Sequence, residues 1–503
     1  MVFDTWDMPL VAALLKKRSH LSFHVPAHKG RYLPHEFQVI WQDMLSLDQT
    51  ELPDLDDLHH PEGVIAKAEM RAKEAFGVDA SRFLVGGTTV GVLAAVLGTR
   101  WAAGGEKGLW IIQRDSHQSL YHALMLAGEE ALMLTPALDA WGFPEGQKVD
   151  TIKAAIDWAL DHGYTVRGLF LTSPNYYGRM APLRSIVDMA HRSDIPVMID
   201  AAHGGHLAYL PDPMPDEAIA SGADLIIHST HKTNGSLTMS SLLHYQGHRL
   251  PRSGIDMALN MLMSSSPSYV LMASLDMAQA LIRNGYLSAR LKALMPSIRR
   301  LWQSLQNCSF YTLLPSDDPL RLMIKVPDGL GKEVEAHLRQ HHIEMELRHG
   351  DVLLFILSYA DDETTVEALK RALDDVEETF LVTQKKGTNA FKGKEIKSKP
   401  LTKKNFKADT YHTWMSELLG ESRWTHHRFS PPQPMIRRPL HDAIGERVAK
   451  MIVPYPPGIP LILPGERLST EKRDQLVALI AEGYTLHGVE KDHALRPLIW
   501  IHA

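Results

Sequence analysis

The chain reads as an α/β protein: a large domain on a mostly parallel sheet, then a smaller α+β region and a further C-terminal unit. Three observations predict this. Between about residues 64 and 245, short apolar runs alternate with stretches of helical periodicity, the pattern of strands joined by crossover helices. Asp200 and Lys232 lie at or just past the ends of two such runs, and open α/β sheets place their ligands at the carboxyl ends of strands. Finally, residues 384–407 hold nine lysines against one glutamate, a sharp break in composition.

Taken in order, Asp7 to Arg18 carries an apolar face at helical spacing and predicts a short lead helix within an N-terminal segment, residues 1–63. Residues 64–305 form the large domain. Its strands are expected at GLWII, ALMLT, GLFLT, PVMID, DLIIHS and SSLLHY, with helical segments from Gly254 to Leu305 leading out of it. Residues 306–383 form the small α+β region, in which RLMIKV, the helix EVEAHLRQHH, DVLLFILS and an amphipathic helix from Asp362 to Val382 alternate. Residues 384–407 read as a solvated linker, with a polybasic patch for acidic lipid or RNA as the alternative.

Composition bounds the function classes. A chain of 503 residues, 45% hydrophobic, can bury a large core and divide into two or three domains. No apolar run reaches eighteen residues, and the opening MVFDTWDMPLVAALLKKR has acidic residues and no small-residue cleavage site, so neither a membrane span nor a secretory signal is expected. A net charge of −6 argues against a nucleic-acid-binding body. The single cysteine, Cys308, excludes an internal disulfide and suits a reducing, cytoplasmic compartment.

Lys232, in Ser229-Thr230-His231-Lys232, follows Asp200 by thirty-two residues. The pair reads as the two anchors of a pyridoxal phosphate site: the amine forms a Schiff base with the cofactor aldehyde, and a buried carboxylate keeps the pyridine nitrogen protonated so that the ring accepts electrons. A solvated lysine and a turn-forming aspartate are the plainer alternative. Gly86-Gly87-Thr88-Thr89 follows the short apolar segment Arg82 to Val85 and opens a helix, the geometry for a phosphate on free N–H groups; an ordinary threonine cap competes with that reading. Ser229 and His231 would complete the phosphate cup. His117, at a strand-to-helix junction, could stack on the pyridine ring or simply cap or pack. His203 would point to the reacting carbon, and small Ala202 would let the ring approach.

These residues sit inside motifs that resemble a known family. HVPAHKG (24–30), TELPDLDDLHHPEG (50–63), GGTT (86–89), SHQS (116–119), TSPNYYG (172–178), DAAHGGH (200–206), STHK (229–232) and YPPGIPLILPGE (455–466) occur in the order seen in the pyridoxal-phosphate-dependent Orn/Lys/Arg decarboxylases, and the chain looks like their short bacterial branch, which includes biosynthetic arginine decarboxylases. The resemblance implies a fold type I, aspartate-aminotransferase-like large domain and assigns residues 408–503 to the family's C-terminal domain. It makes Lys232 the Schiff-base lysine, Asp200 the partner of the pyridine nitrogen and His117 the stacking residue. Thr88, Thr89, Ser229 and His231 hold the phosphate. Where the family has Pro-Gly-His this chain has Pro26-Ala27-His28, so a positive φ at Ala27 would be strained.

The activity so implied is decarboxylation of a basic amino acid in polyamine metabolism, arginine to agmatine and CO2 first, lysine or ornithine as alternatives. His203 is expected near the departing carboxylate, with Lys232 or His231 returning a proton to Cα. Glu466 is the expected acidic partner of the substrate's far end, against a reading as a favourable acid near a helix N-terminus, and His28 is a second substrate contact. An aminotransferase, a desulfurase or a non-catalytic pyridoxal-phosphate-binding protein would share the lysine and aspartate. A metal hydrolase using His203 and His206 or His24 and His28 lacks a third ligand at suitable spacing, and no metal is expected. Large inducible members of the family carry a receiver-like N-terminal domain. Here the shared region begins at His24, which implies a homodimer or dimer of dimers rather than a ring-like decamer.

Overall fold

The computed structural model describes residues 6–30, 34–106, 108–212, 214, 216–385 and 423–503. The expected linker, from residue 386 onward, and the first part of the expected C-terminal domain, to residue 422, lie outside the described residues.

The central sheet takes strands β1 (Ala80–Leu84), β2 (Leu109–Gln113), β3 (Glu130–Leu134), β4 (Val166–Thr172), β5 (Val197–Asp200), β6 (Leu225–His228) and β7 (Ser241–Tyr245) from the large domain. Its order is β1-β7-β6-β5-β4-β2-β3, closed at the β3 edge by an eighth strand from far along the chain. The pairs from β3 through β2, β4 and β5 to β6 are parallel, while β7 turns back antiparallel between β6 and β1. The expected mostly parallel sheet is therefore present. Its strands are apolar throughout because both faces are covered. Trp110, Ile112, Met198 and Ile227 pack on one face, while Leu109, Ile111, Ile199 and Ile226 pack on the other, as the two-residue period of a strand dictates.

On the first face, helices Gly87–Ala102 and Arg252–Leu262 cross closely. A Cβ on Gly98 would come within 2.6 Å of the Gly254 carbonyl oxygen, so only glycine allows the approach. The lead helix forms at Pro9–Lys17, with proline in its first turn. Its free N–H groups at Leu10 and Val11 are capped from a distance by the Asp276 carboxylate, at 2.9 and 3.0 Å. Leu10 and Leu14 share a core with helices Val64–Phe76 and Tyr269–Arg283, so this part of the N-terminal segment packs into the large domain. A helix His35–Leu47, not anticipated from sequence, leaves Phe37, Val39 and Ile40 exposed. In the preceding loop the positive φ angles fall on Lys29 and Gly30 and not on Ala27, which removes the strain expected there.

A second sheet, order β10-β11-β9-β8, is formed by β8 (Thr312–Leu313), β9 (Arg321–Lys325), β10 (Leu347–His349) and β11 (Val352–Ile356). Helices Gly331–Gln340 and Glu363–Lys385 accompany it. Past the undescribed stretch, β12 (Trp424–Arg428) does not join the C-terminal unit to which sequence assigned it. It pairs antiparallel with β3 and is the eighth strand of the central sheet. Glu130 on β3 holds it through His426 at 2.9 Å and Arg428 at 2.7 Å. The remainder comprises β13 (Met435–Pro439), β14 (Val453–Tyr455), β15 (Thr485–His487), β16 (Val489–Lys491), β17 (Pro497–His502) and helix Thr470–Glu482. Among the described residues no helix is long and apolar enough to cross a membrane.

Candidate active site

A cavity of about 580 Å³ opens at the carboxyl ends of the central strands, and its walls come from all three parts of the chain. Strand β5 delivers Asp200 to it. The Asp200 carboxylate is 5% exposed and accepts the N–H of Ala202 at 3.0 Å. Burial pushes its pKa up, partly offset by that N–H and by Lys232. Strand β6 ends at His228, and the single turn Thr230–Thr233 that follows carries Lys232 into the same cavity. Burial lowers the Lys232 pKa, Arg321 adds to the effect, and Asp200 and Glu346 oppose it. Lys232 Nζ lies 3.0 Å from His203 Nε2, and Arg321 donates to the other ring nitrogen of His203 at 2.8 Å. Burial, Lys232 and Arg321 hold His203 well below the ordinary histidine range, so its ring is neutral.

The anion-binding side forms where helix Gly87–Ala102 begins. Thr88 Oγ1 meets Ser229 Oγ at 2.6 Å and Ser241 Oγ at 3.1 Å, which draws hydroxyls from three elements together. Thr89 and His231 line the same cavity. His231 Nδ1 is spent on the Ser240 carbonyl oxygen at 2.9 Å, so that nitrogen carries the proton and Nε2 is left as an acceptor in the neutral ring. His117 takes the plainer of its two readings, the cap, from a place on the cavity wall. It caps helix Gln118–Ala127, accepting the Ser119 N–H at 3.2 Å, and it lines the cavity. Burial, with Lys232 and His122, takes its pKa down to about 4, so it offers a neutral flat ring. Ala202 is a buried, small part of the wall. Gly458 stands against His117 with φ +87°, and a Cβ there would lie 2.9 Å from the imidazole Cδ2.

Four wall residues escaped the sequence reading. Tyr176, in the loop after β4, donates its hydroxyl to Glu346 of the small region. Both line the cavity, and Tyr455 joins them from the C-terminal part. Asp115 lines it as well, buried, with neither carboxylate oxygen hydrogen-bonded among the described residues, and burial raises its pKa to about 6. Tyr176 lies within the quoted TSPNYYG stretch and Tyr455 opens YPPGIPLILPGE. Glu346 carries no sequence signal.

Two expected substrate contacts are not among the cavity walls within one chain. Glu466 binds Lys472 at 2.9 Å and the Leu463 N–H at 3.2 Å. Burial raises its pKa, but Arg114 and Lys472 outweigh that and hold it below the ordinary value. The front of the YPPGIPLILPGE motif reaches the cavity, while its end holds its own loop. His28 is bound to Asp48 at 3.1 Å and to the Gly30 N–H at 2.9 Å. His206 turns away from the cavity to Asp318 at 2.9 Å, so it does not converge with His203 as a metal pair. Among the described residues, the side chains that converge as three possible metal ligands are His337, His341 and Asp375, in the small region.

Residues 8–317 match the family "Orn/Lys/Arg decarboxylase, major domain", and residues 435–485 match "Orn/Lys/Arg decarboxylase, C-terminal domain". The Bacillus subtilis protein YaaO, itself described as uncharacterized, is 34% identical over 98% of this chain and 99% of its own length. An arginine decarboxylase of Bacillus anthracis is 30% identical over 96% of this chain and 95% of its own. Among solved structures, lysine decarboxylase A from Pseudomonas aeruginosa superposes with a TM-score of 0.78 at 19% identity, covering 98% of this chain and 80% of that one, which shows a shared fold. With both domains matched in order and a relative aligned along nearly its whole length, the chain belongs to the Orn/Lys/Arg decarboxylase family of carbon–carbon lyases.

Proposed function

We propose that this protein binds pyridoxal phosphate in the cavity and decarboxylates a basic amino acid, L-arginine to agmatine and CO2 before lysine or ornithine. The observation that carries this reading is the convergence of Lys232, Asp200, His117 and the hydroxyl cup of Thr88, Thr89 and Ser229 on one cavity. The residues fit the cofactor. Asp200 is a buried carboxylate of the kind a pyridinium nitrogen requires, Lys232 is an amine held toward its neutral form, and His117 and Ala202 offer flat and small surfaces. The unpaired oxygens of Asp115 and of Thr172 on the same walls mark a site built for a polar ligand. Bound there, the cofactor supplies an electron sink for the pair left at Cα when the carboxylate departs.

The chain's own residues supply the rest. The helix N-terminus and hydroxyls would bind the phosphate, and Asp200 would hold a proton on the ring nitrogen. Lys232 and His231 remain the two groups proposed to return a proton to Cα, His231 only after it has itself taken up a proton at Nε2. Glu346 replaces Glu466 as the carboxylate offered to the substrate's distal cation within one chain, because it lines the cavity. Arginine leads because relatives named arginine decarboxylase are 30–31% identical along more than nine-tenths of this chain, against 24% for lysine decarboxylases of Hafnia alvei and Escherichia coli.

A homodimer or dimer of dimers accompanies this reading. Phe23, Val39 and Ile40 of the N-terminal segment, 92%, 87% and 68% accessible, are large apolar side chains that a second copy would cover. A cytoplasmic site of action fits one thiol and a polyamine-forming reaction. The test offers arginine, lysine and ornithine in parallel to purified protein with pyridoxal phosphate, and follows CO2, amine and the visible absorbance of lysine-bound cofactor. Turnover of arginine is expected. Lys232→Ala is expected to lose both absorbance and turnover, and full activity in that variant would overturn the assignment.

A further inference from the structure

Arg321 stands behind His203 of the cavity wall. It sits on β9, is 2% exposed, and its guanidinium donates from Nη2 to His203 Nδ1 at 2.8 Å; Nη1 has no partner among the described residues. Its companion there is Asp318, whose carboxylate lies 3.5 Å from Nε and which is itself engaged by His206. The other face of the relay is the 3.0 Å contact between His203 Nε2 and Lys232 Nζ.

These two contacts have a direction. A guanidinium has five donors and no acceptor, so the nitrogen it meets must offer a lone pair. His203 Nδ1 therefore accepts, and the proton of the neutral imidazole sits on Nε2. That N–H then faces Lys232. Two donors cannot share one hydrogen bond, so the lysine must contribute a lone pair, which only the uncharged amine has. An ammonium at Lys232 would need His203 to accept at Nε2 and move its proton to Nδ1, against the guanidinium. We propose that Arg321 is a positioning residue that fixes the Nε2–H tautomer of His203 and thereby selects the neutral, nucleophilic form of Lys232. The inference rests on Lys232 being the cofactor lysine, but it concerns protons this chain holds with the cofactor removed.

Other groups facing these two act on the same equilibrium. Asp200 and Glu346 favour the ammonium, while burial and Arg321 disfavour it. His203 also faces His117 and His206 electrostatically, and the Tyr176 ring edge-on at 4.9 Å. The carboxylates stay in place in an Arg321 variant, so removing the guanidinium shifts the balance to the charged amine. The sequence offered only the apolar-strand signal of RLMIKV, with nothing to single out its arginine.

The test uses the full chain freed of cofactor. Nitrogen-15 spectra of histidine-labelled protein, with His203 assigned by its loss in His203→Gln, report the tautomer. The pH dependence of Lys232 carbamylation by cyanate, read by peptide mass spectrometry, reports the amine. The wild type is expected to show an unprotonated Nδ1 and a protonated Nε2. In Arg321→Met the carbamylation profile is expected to move up by about one pH unit, a tenfold loss of neutral amine, and Arg321→Lys is expected to restore it. A protonated Nδ1 in the wild type would overturn the proposal without any variant. So would a profile of Arg321→Met that superposes on the wild type, and Arg321→Gln serves if the methionine variant does not fold. Decarboxylation by the wild type is read separately, so failure of the activity assignment and failure of the relay give different results.

Discussion

Asp115→Asn should make the cofactor-free protein more stable at neutral pH although it removes a charge from a polar cavity. The wild-type carboxyl is raised from 3.8 to about 6 by burial, only partly offset by the charge of Arg114. A rise of that size corresponds to about 3 kcal/mol against the ionised folded state. The sign follows from proton uptake: between pH 4 and 6 the folded chain still holds this proton while the unfolded chain has lost it, so stability falls as pH rises through that window and stays reduced above it. Asparagine cannot ionise and escapes the loss, although its amide still lacks a partner at a cost of about 1 kcal/mol or more. The expected net gain is about 1–2 kcal/mol at pH 8, a melting temperature a few degrees higher, falling with pH and turning into a loss of about 1 kcal/mol near pH 4. Paired thermal melts of variant and wild type from pH 4 to 8, without cofactor, measure it. An equal or lower melting temperature at pH 8, or a difference that does not vary with pH, would refute the argument that this carboxylate is held at a cost.

Replacing Glu346 with Gln should raise KM for the basic substrate far more than it lowers kcat, because the lost charged hydrogen bond, about 1.5–3 kcal/mol, acts on a group remote from the reacting carbon; steady-state kinetics decide, and an unchanged KM would assign the distal group elsewhere. Gly458→Ala should cost about 1–3 kcal/mol through its positive φ and push the His117 ring from its place. Cofactor loss during dialysis, followed by absorbance, should then be faster than in the wild type, and equal retention would show that the ring does not depend on this close approach.

Much of the large domain could be read from sequence because its strands are buried on both faces, and runs such as GLWII and DLIIHS admit few other readings. Asp200 and Lys232 were legible for the same reason, standing where those runs end. What could not be read depends on contacts between distant segments. Strand β12 is written Trp-Thr-His-His-Arg, pairs with β3 along its length and adds ionic contacts to Glu130, so no apolar period announces it. Glu346 and Arg321 stand on or beside small-region strands, and only the tertiary fold turns them toward Lys232. Glu466 shows the converse: a residue conspicuous in its motif is engaged by Lys472, six positions on in the same segment.

The seam between the first and last parts of the cavity wall sets an order of events in synthesis. Arg114 donates to the carbonyl oxygens of Pro460 and Leu461, at 2.9 and 3.3 Å, and the Gln118 N–H meets the Gly458 carbonyl oxygen at 3.0 Å. A chain growing from its N-terminus makes Lys232 and Asp200 long before these acceptors exist, and domains fold as they emerge. Until the ribosome has released residues beyond Leu461, the nascent large domain shows a reactive amine with one wall of its pocket missing. On the proposed cofactor reading, capture in the finished environment would therefore wait until the segment holding Gly458 to Leu461 has been made and has docked.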